Sequence, residues 1–109
     1  MDSPWGHVQH QEQVASGVLL VSTAGHGGFM LNAEAMKALN PALKLASVYG
    51  GKTGGYTCFE EDCEAVAVVY ELQEAGIQTS LKKISKEEVV SYLGNFDTYK
   101  PYLHGRGLI

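Results

Sequence analysis

The stretch GVLLVSTAGHGGFML, residues 17–31, limits the possible folds of this chain more than any other part of its sequence. It begins with β-branched and apolar residues, which are typical of a strand inside a sheet. Glycines then occupy three of the four positions from 25 to 28 and surround His26. Glycine at this density favours a sharp turn or a backbone that lies against another element. We therefore predict a central strand, a glycine turn that positions His26, and a further strand over residues 28–31.

The segments on either side extend this sheet and lead out of it. Residues 6–14 are polar and lack helical periodicity, so they predict an edge strand that forms a hairpin with the central strand. Asn32 predicts the N-cap of a short helix over residues 33–39. Residues 42–49 fit either a helix or a strand, and the glycine pairs within residues 50–55 predict a flexible loop.

The second half of the chain contains two capping-box patterns, each a Thr or Ser followed by Glu three residues later. Thr57 predicts the start of the longest helix, from about Cys58 to Ala75. Ser85 predicts the start of a shorter helix that ends near Gly94.

The remaining segments complete a fold of mixed class. Residues 77–84 alternate between apolar and polar and predict a strand, whereas the aromatic tail over residues 95–109 predicts an irregular segment. Together these elements predict a single α+β domain over residues 1–109. In this domain a small antiparallel sheet packs against one main helix and two shorter helices.

The charge of the chain favours a protein partner over nucleic acid. Twelve acidic and eight basic residues give a formal net charge of −4, and the basic residues are scattered. Phosphate binding requires clustered Lys and Arg, so we expect no direct contact with nucleic acid. No apolar run approaches the roughly 18 residues of a membrane span, and the N-terminus lacks the pattern of a signal peptide. We therefore expect a cytoplasmic protein that does not associate with a membrane.

Three motifs follow one another in the first part of the chain: a Trp-Gly pair, a Ser-Thr-x-x-His-Gly-Gly run and a Glu-Glu-Asp-Cys run. The histidine of the second motif is His26, and the third motif lies within the acidic run that is described below. The other residues of the pattern, with the tyrosine that precedes the third motif, are Trp5, Gly6, Ser22, Thr23, Gly27, Gly28 and Tyr56. This combination resembles a family of small uncharacterised domains found on phages and other mobile elements of bacteria. The resemblance covers residues 5 to about 70 and leaves out the predicted C-terminal helix and tail over residues 85–109. Members of that family often have Trp-Tyr directly before the acidic run, whereas here residues 57–59 separate Tyr56 from it.

His26 and Cys63 are the residues with the clearest chemical potential. The imidazole of His26 can act as a general base near neutral pH, although a histidine in such a turn often hydrogen-bonds to neighbouring backbone instead. A thiol near the start of a helix can act as a nucleophile, whereas a cysteine on an apolar helix face is a small buried side chain, and acidic neighbours raise its pKa. One possible function is therefore a small Cys-His hydrolase or transferase that uses His26 and Cys63 as its catalytic pair. It is the alternative to the partner-binding function that is predicted below.

We expect no cofactor and no bound metal. The candidate metal ligands are His7, His10, His26, Cys58 and Cys63, and they lack the paired spacing of a zinc site. In addition, His7 and His10 would point to opposite faces of a strand.

An acidic run lies at the predicted start of the longest helix and contains Glu60, Glu61, Asp62 and Glu64. The helix dipole favours one or two carboxylates at this place, so the others add repulsion without a benefit to the fold. We predict that the run binds the basic surface of a partner protein, although a solvated surface that keeps the protein soluble is the alternative. The phage setting implied by the resemblance points to a host-defence component that handles nucleic acid, such as a CRISPR effector, which an anti-CRISPR-like protein would inhibit.

Overall fold

A five-stranded antiparallel sheet forms the centre of the protein, and two further short strands form a separate hairpin. The structure is a computed structural model that describes all 109 residues. In chain order the strands are β1 (Asp2–Ser3), β2 (Gly6–His7), β3 (His10–Ala15), β4 (Val18–Ser22), β5 (Gly27–Leu31), β6 (Gly51–Thr53) and β7 (Tyr56–Glu60). The order of strands in the larger sheet is β3-β4-β5-β7-β6, so β5 is its middle strand.

Four α-helices and two 3-10 helices complete the fold. The α-helices are α1 (Ala33–Ala38), α2 (Ala65–Glu74), α3 (Lys86–Leu93) and α4 (Lys100–Gly105), and the 3-10 helices span Pro41–Ala46 and Asp97–Tyr99. The predicted α+β class is therefore confirmed, with one more α-helix than expected. None of the helices is both long and apolar enough to cross a membrane.

The local signals for the central strands and for two helix starts are confirmed. β4 and β5 contain the predicted apolar residues and pair antiparallel along their whole length. The Asn32 side chain accepts a hydrogen bond from the Ala35 N–H at 2.9 Å and caps α1. Ser85 and Glu88 form the reciprocal hydrogen bonds of a capping box at the start of α3. These elements follow from chemistry within a few residues of each other.

The helix predicted from Cys58 to Ala75 is wrong in its first part. Residues 56–60 form β7, which pairs with β5 on one side and with β6 on the other. Thr57 is buried in this strand, so the expected capping box with Glu60 does not form. The buried strand β5 needs hydrogen-bond partners along both of its edges, and β7 supplies the second set. This pairing overrides the local helix signal, and α2 begins only after the turn that follows β7.

The strand predicted over residues 77–84 is also wrong, because this segment is irregular. Its end is held by a side chain of α2 instead of by a neighbouring strand. The Gln73 side chain donates to the Ile84 C=O at 2.8 Å and accepts from the Ile84 N–H at 3.0 Å. Apolar alternation alone therefore misassigned a segment whose last residue forms its backbone hydrogen bonds with a glutamine side chain.

Of two segments before α2, one differs from its prediction, and the structure decides between the two alternatives predicted for the other. Residues 50–55 are not a flexible loop, since they contribute β6 and the turn that joins it to β7. Residues 42–49, for which either a helix or a strand was open, begin with a 3-10 helix. The sheet consequently gains an edge strand that the sequence did not predict.

The tail over residues 95–109 was predicted to be irregular, but it contains the second 3-10 helix and α4. Polar contacts attach it to α2. The Tyr102 hydroxyl and the Arg106 Nε each donate to Glu71 Oε2 at 2.6 Å. The Arg106 guanidinium also lies 5.8 Å from the centre of the Tyr70 ring. The tail is therefore part of the folded unit.

The sheet buries residues on both of its faces. One face contributes Phe59 and other side chains to a core cluster of 18 buried residues, which the helices complete. The opposite face carries a smaller cluster of Val21, Met30 and Cys58, against which Trp5 packs. The alternation of side chains along β7 thus places neighbouring residues in two different clusters.

Candidate functional site

The motif residues form turns and close contacts around the sheet. Gly6 has a φ of 117°, a backbone conformation that favours glycine. A Cβ on Gly28 would overlap the backbone of β7 and the Trp5 ring, so glycine lets these groups approach each other. Ser22 ends β4, and the half-buried Tyr56 begins β7 and packs against the smaller cluster. Backbone geometry at Gly6 and close packing around Gly28 therefore account for these two motif glycines.

Thr23 orders the glycine turn between β4 and β5. Its Oγ1 donates to the His26 C=O at 2.7 Å and accepts from the N–H groups of Gly25 and His26 at 3.3 and 3.2 Å. The side chain of His26 is 61% exposed and makes no hydrogen bond to the backbone. The imidazole is therefore not needed to order the turn and is available for another contact.

The register of the sheet brings His26 next to two carboxylates. β5 pairs with β7 so that Gly28 lies opposite Glu60, and the Glu61 N–H donates to the Gly27 C=O at 3.0 Å. His26 Nδ1 lies 3.9 Å from Glu60 Oε1 as a consequence. One nitrogen or oxygen atom from each of His26, Glu60 and Glu61 lies within 4.8 Å of the other two. The sequence identified these three residues but not that they form one group.

Cys63 contacts the same carboxylate on its other oxygen. The half-buried thiol lies in the turn before α2, 3.5 Å from Glu60 Oε2, to which it donates. The Asp62 N–H donates to the same oxygen at 3.1 Å. Burial raises the pKa of the Cys63 thiol, a contact with Tyr99 partly opposes this, and Glu60 raises the pKa again. Glu60 therefore lies between Cys63 and His26, and no hydrogen bond joins the predicted catalytic pair.

The other candidate metal ligands do not join this group. His7 is on β2, where its Nδ1 lies 3.5 Å from Asp2 Oδ1, and His10 is on β3. Cys58 is buried in β7, and burial raises the pKa of its thiol to about 11. A site that combines histidine and cysteine ligands, as considered from the sequence, is therefore absent from the structure.

Glu64 is fully buried, so its prediction as a partner-binding surface residue is wrong. Its carboxylate accepts five hydrogen bonds. Four come from the backbone N–H groups of residues 48–50 and Glu60 at 2.6 to 3.1 Å, and the fifth comes from the Tyr99 hydroxyl at 2.8 Å. Because this many donors compensate for the loss of water, Glu64 needs no cation nearby. It joins the segment before β6, the end of β7 and the tail at the start of α2.

Exposed aromatic side chains lie next to this buried carboxylate. Tyr49 and Phe96 pack edge-to-face on the buried Tyr99, with ring centroids 6.4 and 5.9 Å from its centroid. Tyr49 is 64% exposed and Phe96 is 45% exposed. We call Tyr49 and Phe96 the aromatic pair. The sequence did not single them out, because aromatic residues in irregular segments are found both inside and outside proteins.

No Lys or Arg side chain forms an ion pair with Glu60, Glu61 or Asp62. The ion pairs of the basic side chains lie elsewhere and join Lys37 to Glu34, Lys100 to Asp97 and Arg106 to Glu71. His26, which can carry a positive charge, lies beside Glu60 at 3.9 Å. We call Glu60, Glu61, Asp62 and His26 the acidic cluster. Since the N–H groups of Tyr49 and Glu60 both donate to the Glu64 carboxylate, the aromatic pair adjoins this cluster.

Comparison with known proteins gives a family but no activity. The model of a domain of unknown function, DUF7007, matches residues 1–96. The comparison with curated proteins found no match, and neither did the comparison with solved structures. The matched region contains all seven strands, the helices α1 to α3, the acidic cluster and the aromatic pair. Because this region is well over half of the chain, the protein belongs to the DUF7007 family.

Proposed function

We propose that the protein acts by binding a basic surface of a partner protein through its acidic cluster and the adjoining aromatic pair. In the phage or mobile-element setting that the family resemblance of the motifs implies, this partner is a host-defence component such as a CRISPR effector, which the protein inhibits in the cytoplasm of the bacterial host. The observation that carries the proposal is that Glu60, Glu61 and Asp62 lie together without a Lys or Arg partner.

The electrostatics of the cluster support a basic partner. Glu61 and Asp62 are exposed, and Glu60 is close to them, so their negative charges repel one another in the free protein. Lys or Arg side chains of a partner would remove this repulsion on binding. Charge complementarity of this kind accelerates association and weakens with salt. It would also let the protein compete with nucleic acid for a groove lined by basic residues.

The aromatic pair supports binding to a protein in particular. Tyr and Phe side chains are enriched in the cores of protein interfaces, where they bury a large area. Tyr49 and Phe96 are held on Tyr99, so their ring positions are already restricted before a partner arrives. Pre-organised aromatic side chains beside a charged rim match the usual anatomy of a protein interface.

A Cys-His hydrolase or transferase is the second candidate, because Glu60 contacts both Cys63 and the region of His26. A thiol nucleophile needs the imidazole beside it as a base, with the carboxylate behind the imidazole. Here the carboxylate occupies the middle position, and the pKa of Cys63 is raised instead of lowered. Binding therefore fits the geometry better than catalysis.

Binding to purified CRISPR effector complexes, measured by biolayer interferometry, tests the proposal. The double variant Glu61→Lys and Asp62→Lys reverses the exposed charges and should weaken binding at least about ten-fold. Its melting temperature should stay within about 2 °C of that of the wild type, because both side chains are exposed. Raising salt from about 50 to 300 mM should slow association of the wild type.

The matched control is Glu87→Lys, an exposed charge reversal on α3, outside the acidic cluster. It should bind like the wild type. Tyr49→Ala should weaken binding mainly through faster dissociation, because it removes an apolar contact and no charge. Equal affinity of the double variant and the wild type would remove the acidic cluster from the mechanism.

A further inference from the structure

We propose that His26, Glu60 and Glu61 bind a divalent transition-metal ion, with Zn²⁺ as the probe that tests this. The three residues come from the glycine turn before β5 and from the end of β7, and one nitrogen or oxygen atom of each lies within 4.8 Å of the others. Imidazole nitrogen and carboxylate oxygen are common ligands of such ions. The metal site does not depend on the proposed partner binding, since the isolated protein contains all three ligands.

The distances in the group suit one ion after a small movement of exposed side chains. Zinc lies roughly 2.0 to 2.2 Å from nitrogen and oxygen ligands in a tetrahedral arrangement, so two ligands of one ion lie about 3.4 Å apart. His26 Nδ1 and Glu60 Oε1 are 3.9 Å apart, so the exposed imidazole needs to move only about 0.5 Å. Glu61 is exposed and needs a shift of about 1.5 Å or less, which a rotation of its side chain provides.

Contacts outside the group hold the Glu60 carboxylate in the orientation that a metal ligand needs. The Asp62 N–H and the Cys63 thiol both donate to Oε2, at 3.1 and 3.5 Å. The other oxygen, Oε1, faces His26 and accepts no hydrogen bond from them. Outer contacts of this kind fix ligand orientation in metal sites. Glu60 is thus held by one oxygen and free at the other.

The backbone around Gly27 makes room for the third ligand. A Cβ on Gly27 would lie 3.2 Å from Glu61 Oε2, so the carboxylate rests against a position without a side chain. The Glu61 N–H also donates to the Gly27 C=O at 3.0 Å, which fixes the start of this side chain relative to β5. Thr23 holds the turn that carries His26. All three ligands are therefore attached to ordered backbone.

Charge favours a bound cation at this place. No Lys or Arg pairs with Glu60 or Glu61, and a divalent ion would offset the repulsion between the two carboxylates. Three protein ligands leave a coordination position open to water or to a partner's side chain. A bound ion would also reduce the negative charge of the acidic cluster, so metal and a basic partner are expected to compete for it.

Isothermal titration with Zn²⁺ on the whole protein tests the site. The wild type should bind one equivalent, and His26→Ala and Glu61→Gln should each weaken binding at least about ten-fold. Both side chains are exposed, so neither variant should lose its fold, and far-UV circular dichroism checks this. The matched control is His7→Ala, which removes the histidine of the other exposed histidine–carboxylate pair. It should leave the affinity unchanged.

Two results would overturn the proposal. The first is no saturable binding of Zn²⁺ to the wild type at concentrations up to about 100 μM, the weak end of specific sites. The second is an equal loss of affinity in His26→Ala and His7→Ala, which would indicate unspecific histidine binding. The partner-binding proposal is tested with a chelator present and with Asp62 among the changed residues, so either proposal can fail while the other holds.

Discussion

The two ends of the acidic run, residues 60–64, have opposite environments although they carry the same chemical groups. Glu64 is fully buried and its carboxylate accepts five hydrogen bonds. Glu61 and Asp62 are exposed and have no basic partner. A carboxylate that is fully hydrogen-bonded contributes to folding, whereas exposed carboxylates without counter-charges remain available for a ligand. The comparison separates a structural end of the run from a binding end.

A second buried carboxylate, that of Glu71, also accepts a hydrogen bond from a tyrosine hydroxyl of the tail. Glu71 in α2 accepts from the Tyr102 hydroxyl and from Arg106, while Glu64 accepts from the Tyr99 hydroxyl. Both glutamates therefore fix the C-terminal tail against the start and the middle of α2. The stabilising carboxylates of this protein point into the tail, and the candidate binding carboxylates point away from the core.

The largest difference between the two ends should appear in stability. Glu64→Ala removes the common acceptor of five donors in a buried place and should lower the free energy of unfolding by about 4 kcal/mol. Glu61→Ala should change it by no more than about 0.5 kcal/mol. Urea unfolding followed by circular dichroism measures both. Similar midpoints for the two variants would contradict the division of the run into a structural and a binding end.

A smaller loss of stability should follow when one of the two contacts between the tail and Glu71 is removed. Arg106→Ala leaves this carboxylate with the Tyr102 hydroxyl as its remaining side-chain donor and should cost about 2 kcal/mol, less than a fully enclosed ion pair because Arg106 is partly exposed. The same urea experiment measures it. Arg106→Lys is the control and should recover part of the loss, since it keeps the charge but not the Nε donor. No change in Arg106→Ala would mean that the ion pair between Arg106 and Glu71 does not contribute to holding the tail.

The smallest effect concerns Cys63, which lies between the two ends. Burial and the contact with Glu60 raise the pKa of its thiol, although Tyr99 opposes them, so less thiolate is present at neutral pH than in free cysteine. Iodoacetamide should therefore alkylate native Cys63 more slowly than free cysteine at about pH 8. The rate should rise as the pH is increased beyond the usual range of a thiol. Mass spectrometry of the modified protein measures the rate, and Cys63→Ser identifies the signal. Faster alkylation than free cysteine would favour the hydrolase alternative.

The sequence predicted the parts of the fold whose signals are complete within a few residues. The apolar run of β4 and the N-cap at Asn32 required no knowledge of distant residues, and both are confirmed. The capping-box pattern at Ser85 was also correct, whereas the same pattern at Thr57 was wrong. The difference is that Thr57 belongs to the strand beside β5, where hydrogen bonds across the sheet outweigh those of a helix start.

The candidate site was predictable in its residues but not in its arrangement. His26 and the acidic run stood out by residue type, yet nothing local indicates that Glu60 lies beside His26 or that Glu64 turns inward. The aromatic pair carried no recognisable signal, because exposure depends on which surfaces the tail and the 3-10 helix cover.

By itself the sequence determined the α+β class, the hairpin around the glycine turn and the positions of two helix caps, because backbone preference and capping act over short distances. The tertiary structure decided which strand pairs with β5, which carboxylate is buried and which stays exposed. These outcomes depend on hydrogen bonds between residues far apart in the chain, such as that from Tyr99 to Glu64. A local pattern contains no information about such donors. Which carboxylates of the acidic run stabilise the fold and which remain exposed is therefore apparent only in the folded protein.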